Sequence, residues 1–340
     1  MEKTSYSQND YAALLGSNIP KALVEDKSMR FDDAEDASVF FARELDHVKA
    51  QSYDVVYPEL TALTLFPISN EVSPGAETVT YYSYDRTGVA KIINNYATDL
   101  PRADVKGKPT TAYVKSVGDS YGYSVQEMRA SRLAGKSLDV RKAEAARYAA
   151  DYALNKIAWV GDKANGLIGV LSPENDIPLF TVPVGKTSGK TTWAEKTADE
   201  ILEDLKEMQK QVARTTKNVE RPDTLVLPAD VHIEISTRQI PNTGYTVKKF
   251  LLENAPYIKD IVSAAELQAD AEETNPYSAH DKNVALLFKK DARKLSIEHP
   301  LPFYQYPLQA KGLEIEVPCE ARTAGAIIYY PLSALIAVGV

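Results

Sequence analysis

Apolar and polar positions alternate along this chain with two periods, and the change of period marks its elements. Over 37–50, Phe41, Leu45 and Val48 recur at helical spacing. The run 55–66, with Leu63 and Leu65 alternating, reads as a strand. Ser73-Pro74-Gly75 is a turn signal. Residues 77–84 and 110–117 are rich in Thr, Val and Tyr and predict two strands. Between them lies a polar excursion with Gly88, Asn94, Asn95, Pro101, Gly107 and Pro109. Two strands around such an excursion predict a long β-hairpin, and loops of that length usually form interfaces or carry function.

Helical spacing then returns. The first helix, 124–133, stops at Gly135, a natural C-terminal cap. The second runs from after Ser137 to about Val160. Val140, Ala143, Ala146, Ala150, Leu154 and Ile157 form its inner stripe, and Arg141, Lys142, Glu144 and Arg147 lie on a charged side. At about 20 residues it would be a rod roughly 30 Å long. Gly161-Asp162 ends it, and Gly166, Gly169 and Leu171 open an irregular connection. Thr197 and Glu200 form a capping box ahead of the stripe Ile201, Leu205, Met208, Val212. A buried strand at 223–227, a short helix from Pro228 and another around Phe250-Leu251-Leu252 follow. The runs 284–288, 295–298, 313–317 and 326–330 predict a late antiparallel sheet, so the class is α+β.

The 340 residues are 44% hydrophobic, ample for a large core. Lys and Arg number 39 against 47 Asp and Glu, a formal net charge of -8, which argues against a protein that grips nucleic-acid phosphates. It leaves room for DNA that is merely enclosed. The one cysteine, Cys319, permits no intrachain disulfide and suits a reducing compartment. The N-terminus has no apolar signal core. Residues 324–340 carry no charge, but Tyr329-Tyr330 and Pro331 interrupt them at the lower length limit of a spanning helix, so two buried strands are expected and no membrane partner. Residues 1 to about 36, with Asp32, Asp33, Glu35 and Asp36, read as an extended polar arm; they lack the glycine and distal glutamate of a calcium loop.

Candidate chemistry is thin. Gly185-Lys186-Thr187-Ser188-Gly189-Lys190-Thr191 resembles a phosphate loop, but Val184 stands where the motif needs glycine, so a surface turn is expected. His47, His232, His280 and His299 lie at no metal-ligand spacing from one another or from Cys319. A Ser-His-Asp constellation assembles in space and is not read from spacing, but no G-x-S-x-G elbow is present. Hence no catalytic, cofactor or metal residue is expected. Tyrosine is abundant, with 20 copies, many between Tyr53 and Tyr123 among Thr, Ser, Asp and Asn, which reads as protein interface.

Several strings resemble one branch of the tailed-bacteriophage major capsid proteins. They are Pro74-Gly75-Ala76-Glu77-Thr78, Asp99-Leu100-Pro101-Arg102-Ala103-Asp104-Val105 and Gly118-Asp119-Ser120-Tyr121-Gly122-Tyr123-Ser124. Ile157-Ala158-Trp159-Val160-Gly161-Asp162 with Gly166-Leu167 also resembles encapsulin shell proteins, which share the fold. Asp223-Thr224-Leu225-Val226-Leu227-Pro228 resembles the apical part of that fold, and Glu320-Ala321-Arg322 through Pro331 its closing strands.

The resemblance covers roughly 40–340 and implies an N-terminal arm and first helix (1–50), a peripheral domain (51–76, 118–190 with a spine helix at about 138–160, and 282–330), an extended β-hairpin loop (77–117), an axial domain (191–281) and a C-terminal strand returning to it (331–340). It implies a structural protein without cofactor. Pentamers and hexamers would build an icosahedral or prolate head around double-stranded DNA, assembled in the bacterial cytoplasm. Its partners would be copies of itself, a scaffolding protein, a portal and a decoration protein. The arm is too short and polar for a built-in scaffold. Arg86, Lys91, Tyr96, Arg102 and Asp104 on the hairpin are the candidate inter-subunit contacts. An encapsulin-like compartment housing a cargo enzyme is the alternative within the fold; a soluble enzyme with an unrecognised site is the alternative outside it.

Overall fold

The computed structural model describes residues 58–88, 90, 102–135 and 138–340. The expected arm, the expected helix at 37–50, and the contact candidates Lys91 and Tyr96 lie outside the described residues. In chain order the elements are α1 (Ala62–Leu65), β1 (Ile68–Ser69), β2 (Thr78–Thr87), β3 (Asp104–Tyr113), β4 (Lys115–Ser124), α2 (Val125–Ala134), α3 (Leu138–Val160), β5 (Gly161–Asp162), β6 (Leu167–Ile168), β7 (Leu179–Thr181), α4 (Ala198–Thr215) and β8 (Thr224–Leu227). Then come α5 (Ala229–Thr237), α6 (Val247–Asn254), β9 (Asp260–Ser263), β10 (Val284–Phe288), β11 (Leu295–Glu298), β12 (Leu301–Gln305), β13 (Gln309–Lys311), β14 (Glu314–Thr323), β15 (Gly325–Ile328) and β16 (Ala334–Val338).

The class is α+β, but the strands after 284 do not form one antiparallel sheet. They are shared among three. β10 and β16 join a sheet ordered β7-β16-β10-β8-β9, in which β7–β16 and β8–β9 run parallel. β11 and β15 join β1-β11-β15-β6-β5. β12, β13 and β14 form a third sheet with β4. Side-chain period fixes which face a strand buries, not which strand it pairs with.

The β10 sheet is covered on both faces, which is why its strands are apolar throughout. Alternate residues split between two cores. Val284, Leu286, Phe288, Val226, Ala334, Ile336 and Val338 pack with Phe66, Trp159 and Leu171. Ala285, Leu287, Leu225, Leu227, Leu335 and Ala337 face the helix stripe Ile201, Leu205, Met208 and Val212. Each fully buried side chain of that kind contributes about 1.5–3 kcal/mol. Thr197 and Glu200 make the expected capping box at the start of α4.

The run 55–66 holds no strand among its described residues. Ala62, Leu65 and Phe66 are buried at helical spacing, with Leu63 only half-buried. Distant groups hold this single turn: Glu266 accepts from Thr61 N at 3.0 Å and Thr61 Oγ1 at 2.8 Å, and Asn155 Oδ1 accepts from Ala62 N at 2.9 Å. The run 110–117 also breaks. Val114 turns inward, 4% exposed, and its N–H donates to Glu77 O at 2.8 Å. The chain thus leaves the hairpin at Tyr113 and enters another sheet at Lys115. Conversely, the strand expected at 313–317 continues past Pro318 to Thr323. Pro318 sits where β14 passes from β13, paired up to Glu316, to β12, paired from Cys319, so its missing N–H interrupts neither ladder.

Candidate assembly surfaces

The β2–β3 hairpin pairs Thr78–Thr87 with Asp104–Tyr113 in continuous register. Residues opposite one another share a face. One face carries Tyr82 opposite Pro109, Tyr84 opposite Gly107, and Arg86 opposite Val105. Tyr82 and Tyr84 stack at 6.3 Å, with 61% and 69% of their surface exposed, and Val105 is 58% exposed. Gly107 lies beneath the Tyr84 ring, where a Cβ would come within 3.0 Å of it. The other face is polar beyond Val79 and Tyr81 at its base, with Ser83 opposite Lys108 and Thr87 opposite Asp104. The ribbon therefore has one aromatic side and one charged side. A free two-stranded ribbon with exposed rings is marginal in water.

Of the five expected contact residues, Arg86, Arg102 and Asp104 are exposed, and none is ion-paired to another described residue. Arg86 lies on the aromatic face and Asp104 on the polar one. Asp104 Oδ1 accepts from Val105 N at 2.8 Å. The tyrosine-rich stretch between Tyr53 and Tyr123 was expected to form an interface, but Tyr82 and Tyr84 were not named as a row; the signal for it was their period-two spacing.

Only the base of the hairpin is anchored within the described chain. Tyr81 meets Tyr329 edge to face at 4.9 Å. Burial, foremost, and the adjacent Glu298 push the Tyr329 phenol above its ordinary value. Arg322 donates to Pro74 O. Lys115 lies over the Tyr113 ring, 5.8 Å from its centroid.

The second surface follows α3. Its inner stripe, Ala146, Ala150, Leu154 and Ala158, is buried. Ile157 is only half-buried, and Trp159 fills the core, 5.0 Å from Phe66. On the outer side Lys156 pairs with Glu273 at 3.0 Å, and Tyr152 donates to the same carboxylate at 2.9 Å. An open groove of about 600 Å³ runs between α3, β4 and β12, lined by Tyr121, Ala143, Glu144, Arg147, Phe303 and Gln305.

The loop at 185–191 is an anion cradle already filled from within. Glu200 Oε1 accepts from Thr187 N at 2.7 Å and Ser188 N at 3.1 Å, and Oε2 from Thr197 N at 3.0 Å. These amides, Thr197 first, hold the carboxyl at about 2. Next to it, Lys196 and Asp204 pair at 2.6 Å with almost no exposure, and Trp193 Nε1 donates to Asp204 at 3.0 Å. Burial pushes the Asp204 carboxyl up in spite of these partners. Among the described residues no group of three His, Cys, Asp or Glu could hold a metal ion, and no helix is long and apolar enough to cross a membrane.

Comparison with known proteins gives this surface geometry a context. No curated relative matches the sequence. The capsid of Myoviridae phage XM1 superposes with a TM-score of 0.74 at 16% identity, covering 89% of this chain and 100% of that one. Structures from Mycobacterium phage Bobi (TM-score 0.56, 16% identity, 87% and 97% covered) and Mycobacterium phage Ogopogo (0.55, 14%, 86% and 96%) share the fold. The family model described as major capsid protein matches residues 88–340, from just after β2 onward. The chain therefore belongs to the major capsid protein family, and its role is structural rather than enzymatic.

Proposed function

We propose that this chain builds the head of a tailed bacteriophage, clustering as pentamers and hexamers into an icosahedral or prolate shell around double-stranded DNA. The observation that carries this is the hairpin, a ten-pair ribbon tied down, among the described residues, only at its base, with exposed tyrosines along one face. A monomer gains little from ordering such an element, whereas a neighbouring copy that covers it removes its rings from water. In a closed ring every subunit makes the same contact, so small terms multiply. We assign the peripheral role to α3 and the sheets around it, and the axial role to the α4–α6 side. The net charge of -8 suits DNA that is enclosed, not gripped. Assembly would take place in the bacterial cytoplasm with a separate scaffolding protein and a portal, with a decoration protein added to the finished virion.

Imaging of purified particles together with their nucleic-acid content tests the reading. Large DNA-filled shells are expected. Small protein-filled shells would point to a cargo compartment, and absence of shells would overturn the proposal. Because Ser83 faces Lys108, replacing residues 84–107 by Asn-Gly closes the hairpin in register. That variant should give a native circular dichroism spectrum and no stable particles; normal shells would remove the hairpin from the assembly mechanism.

A further inference from the structure

Two basic side chains meet where α5 and α6 pack together. Lys248 Nζ lies 2.7 Å from His232 Nε2, and both residues are half-buried. A lysine ammonium has three donors and no acceptor, so this contact exists only if Nε2 is unprotonated and accepts. The imidazole is thus the neutral tautomer with its proton on Nδ1. A second proton would remove the acceptor and place two cations in contact. We propose that the α5–α6 pair is an acid-sensitive joint, closed by Lys248 donating to neutral His232 and opened when His232 becomes protonated.

The neighbouring charges leave the imidazolium without compensation. On α5, Asp230 is held by Val231 N at 2.8 Å and Asn283 Nδ2 at 3.0 Å, and Glu234 pairs with Arg238 at 2.7 Å. On α6, Lys249 sits over the Tyr245 ring and is 4.0 Å from Glu253. From β9 the charged residue is Asp260, exposed at the start of that strand. α4 shares an apolar core with α6 through Ile201, Leu205, Met208 and Val212. Of its charges, Glu200 is held by the amides of Thr187 and Ser188, Asp204 by Lys196, Glu203 by Lys186 and Glu207 by Lys210 and Arg214, while Asp199 and Lys206 are exposed. Among the described residues, no carboxylate is hydrogen-bonded to His232. Burial first, and Lys248 second, hold the imidazole below its ordinary value of 6.5.

The sign follows from proton linkage. The closed joint binds fewer protons than the open one, so closure is fully favoured above 6.5 and is lost as the pH falls below it. The open fraction should rise about tenfold per pH unit below that value until the closed-state imidazole itself titrates.

The test is amide hydrogen exchange of the full chain at about pH 7.5 and about pH 5.5, corrected for intrinsic rates. Protection of α6 should fall on acidification relative to that of α4. His232→Gln supplies a non-titrating acceptor for Lys248 and should keep α6 protected at both values. Unchanged relative protection in the wild type, or equal acid loss in H232Q, would overturn the proposal. Should H232Q not fold, a nuclear magnetic resonance titration of the wild-type imidazole decides, and titration at or above 6.5 would overturn it.

Discussion

Glu200 shows how one side chain can occupy a motif that points elsewhere. Its carboxylate takes the place an external anion would need in the 185–191 loop and caps α4 as well. Its folded value, about 2, lies below the ordinary 4.5. The stabilisation it gives is therefore complete above 4.5 and is lost as the pH falls toward 2. Glu200→Gln should lower the melting temperature at neutral pH, and the gap to the wild type should narrow across that acid window in thermal melts. A second residue-scale test concerns Gly169. A Cβ there would lie 2.3 Å from Gly161 N and 2.4 Å from Val160 C, both backbone atoms that no rotamer change can move. Gly169→Ala should cost about 1–3 kcal/mol, as overpacking does. Gly75→Ala, with nothing within 4 Å, is the matched control and should melt like the wild type.

Among the elements, α3 invites the most direct test. Ala146 is 4% exposed and packs against Val317 and Cys319 of β14. Ala146→Trp should lower subunit stability by about 1–3 kcal/mol in denaturant unfolding, because the sheet cannot back away from the helix. An unchanged midpoint would mean that this face is not packed. Helices such as α3 and α4 were legible in the sequence because stripe and caps are local: Gly135 does cap α2 in the left-handed region, and Thr197 does cap α4. α1 was illegible because Glu266 and Asn155, far along the chain, define it. The break at Val114 was hidden for a similar reason. Thr110 to Val117 is rich in Thr, Val and Tyr and reads as one strand, and only the inward turn of Val114 divides it. Of the surface candidates, Arg86 lies on the aromatic face; the tyrosine-rich stretch around it read as interface from composition, but which rings share a face with Arg86 becomes visible only with the register of the ribbon.

For the molecule as a whole, assembly and folding should be separable. Tyr82 and Tyr84 bury little within their own chain, so the double variant Tyr82→Ser/Tyr84→Ser should melt within about 0.5 kcal/mol of the wild type, as exposed substitutions usually do. Particle yield by sedimentation should nevertheless collapse. A destabilised subunit would instead place those rings in the fold.

The sheet order bears also on the timing of synthesis. β16 lies between β7 and β10, so Ile336 must reach both Leu179 and Leu286 before either core face is complete. Pairing over such a sequence distance is slow and cannot begin on a partial chain. A nascent subunit therefore stays unfinished until the ribosome has passed Val338, while its hairpin and α3 have long since emerged. Sticky surfaces are thus exposed on a body that cannot yet lock, and neighbouring nascent chains on one messenger have no rigid shape to nucleate against. The threading of this one strand would delay shell growth until β16 has been made and has paired on both sides.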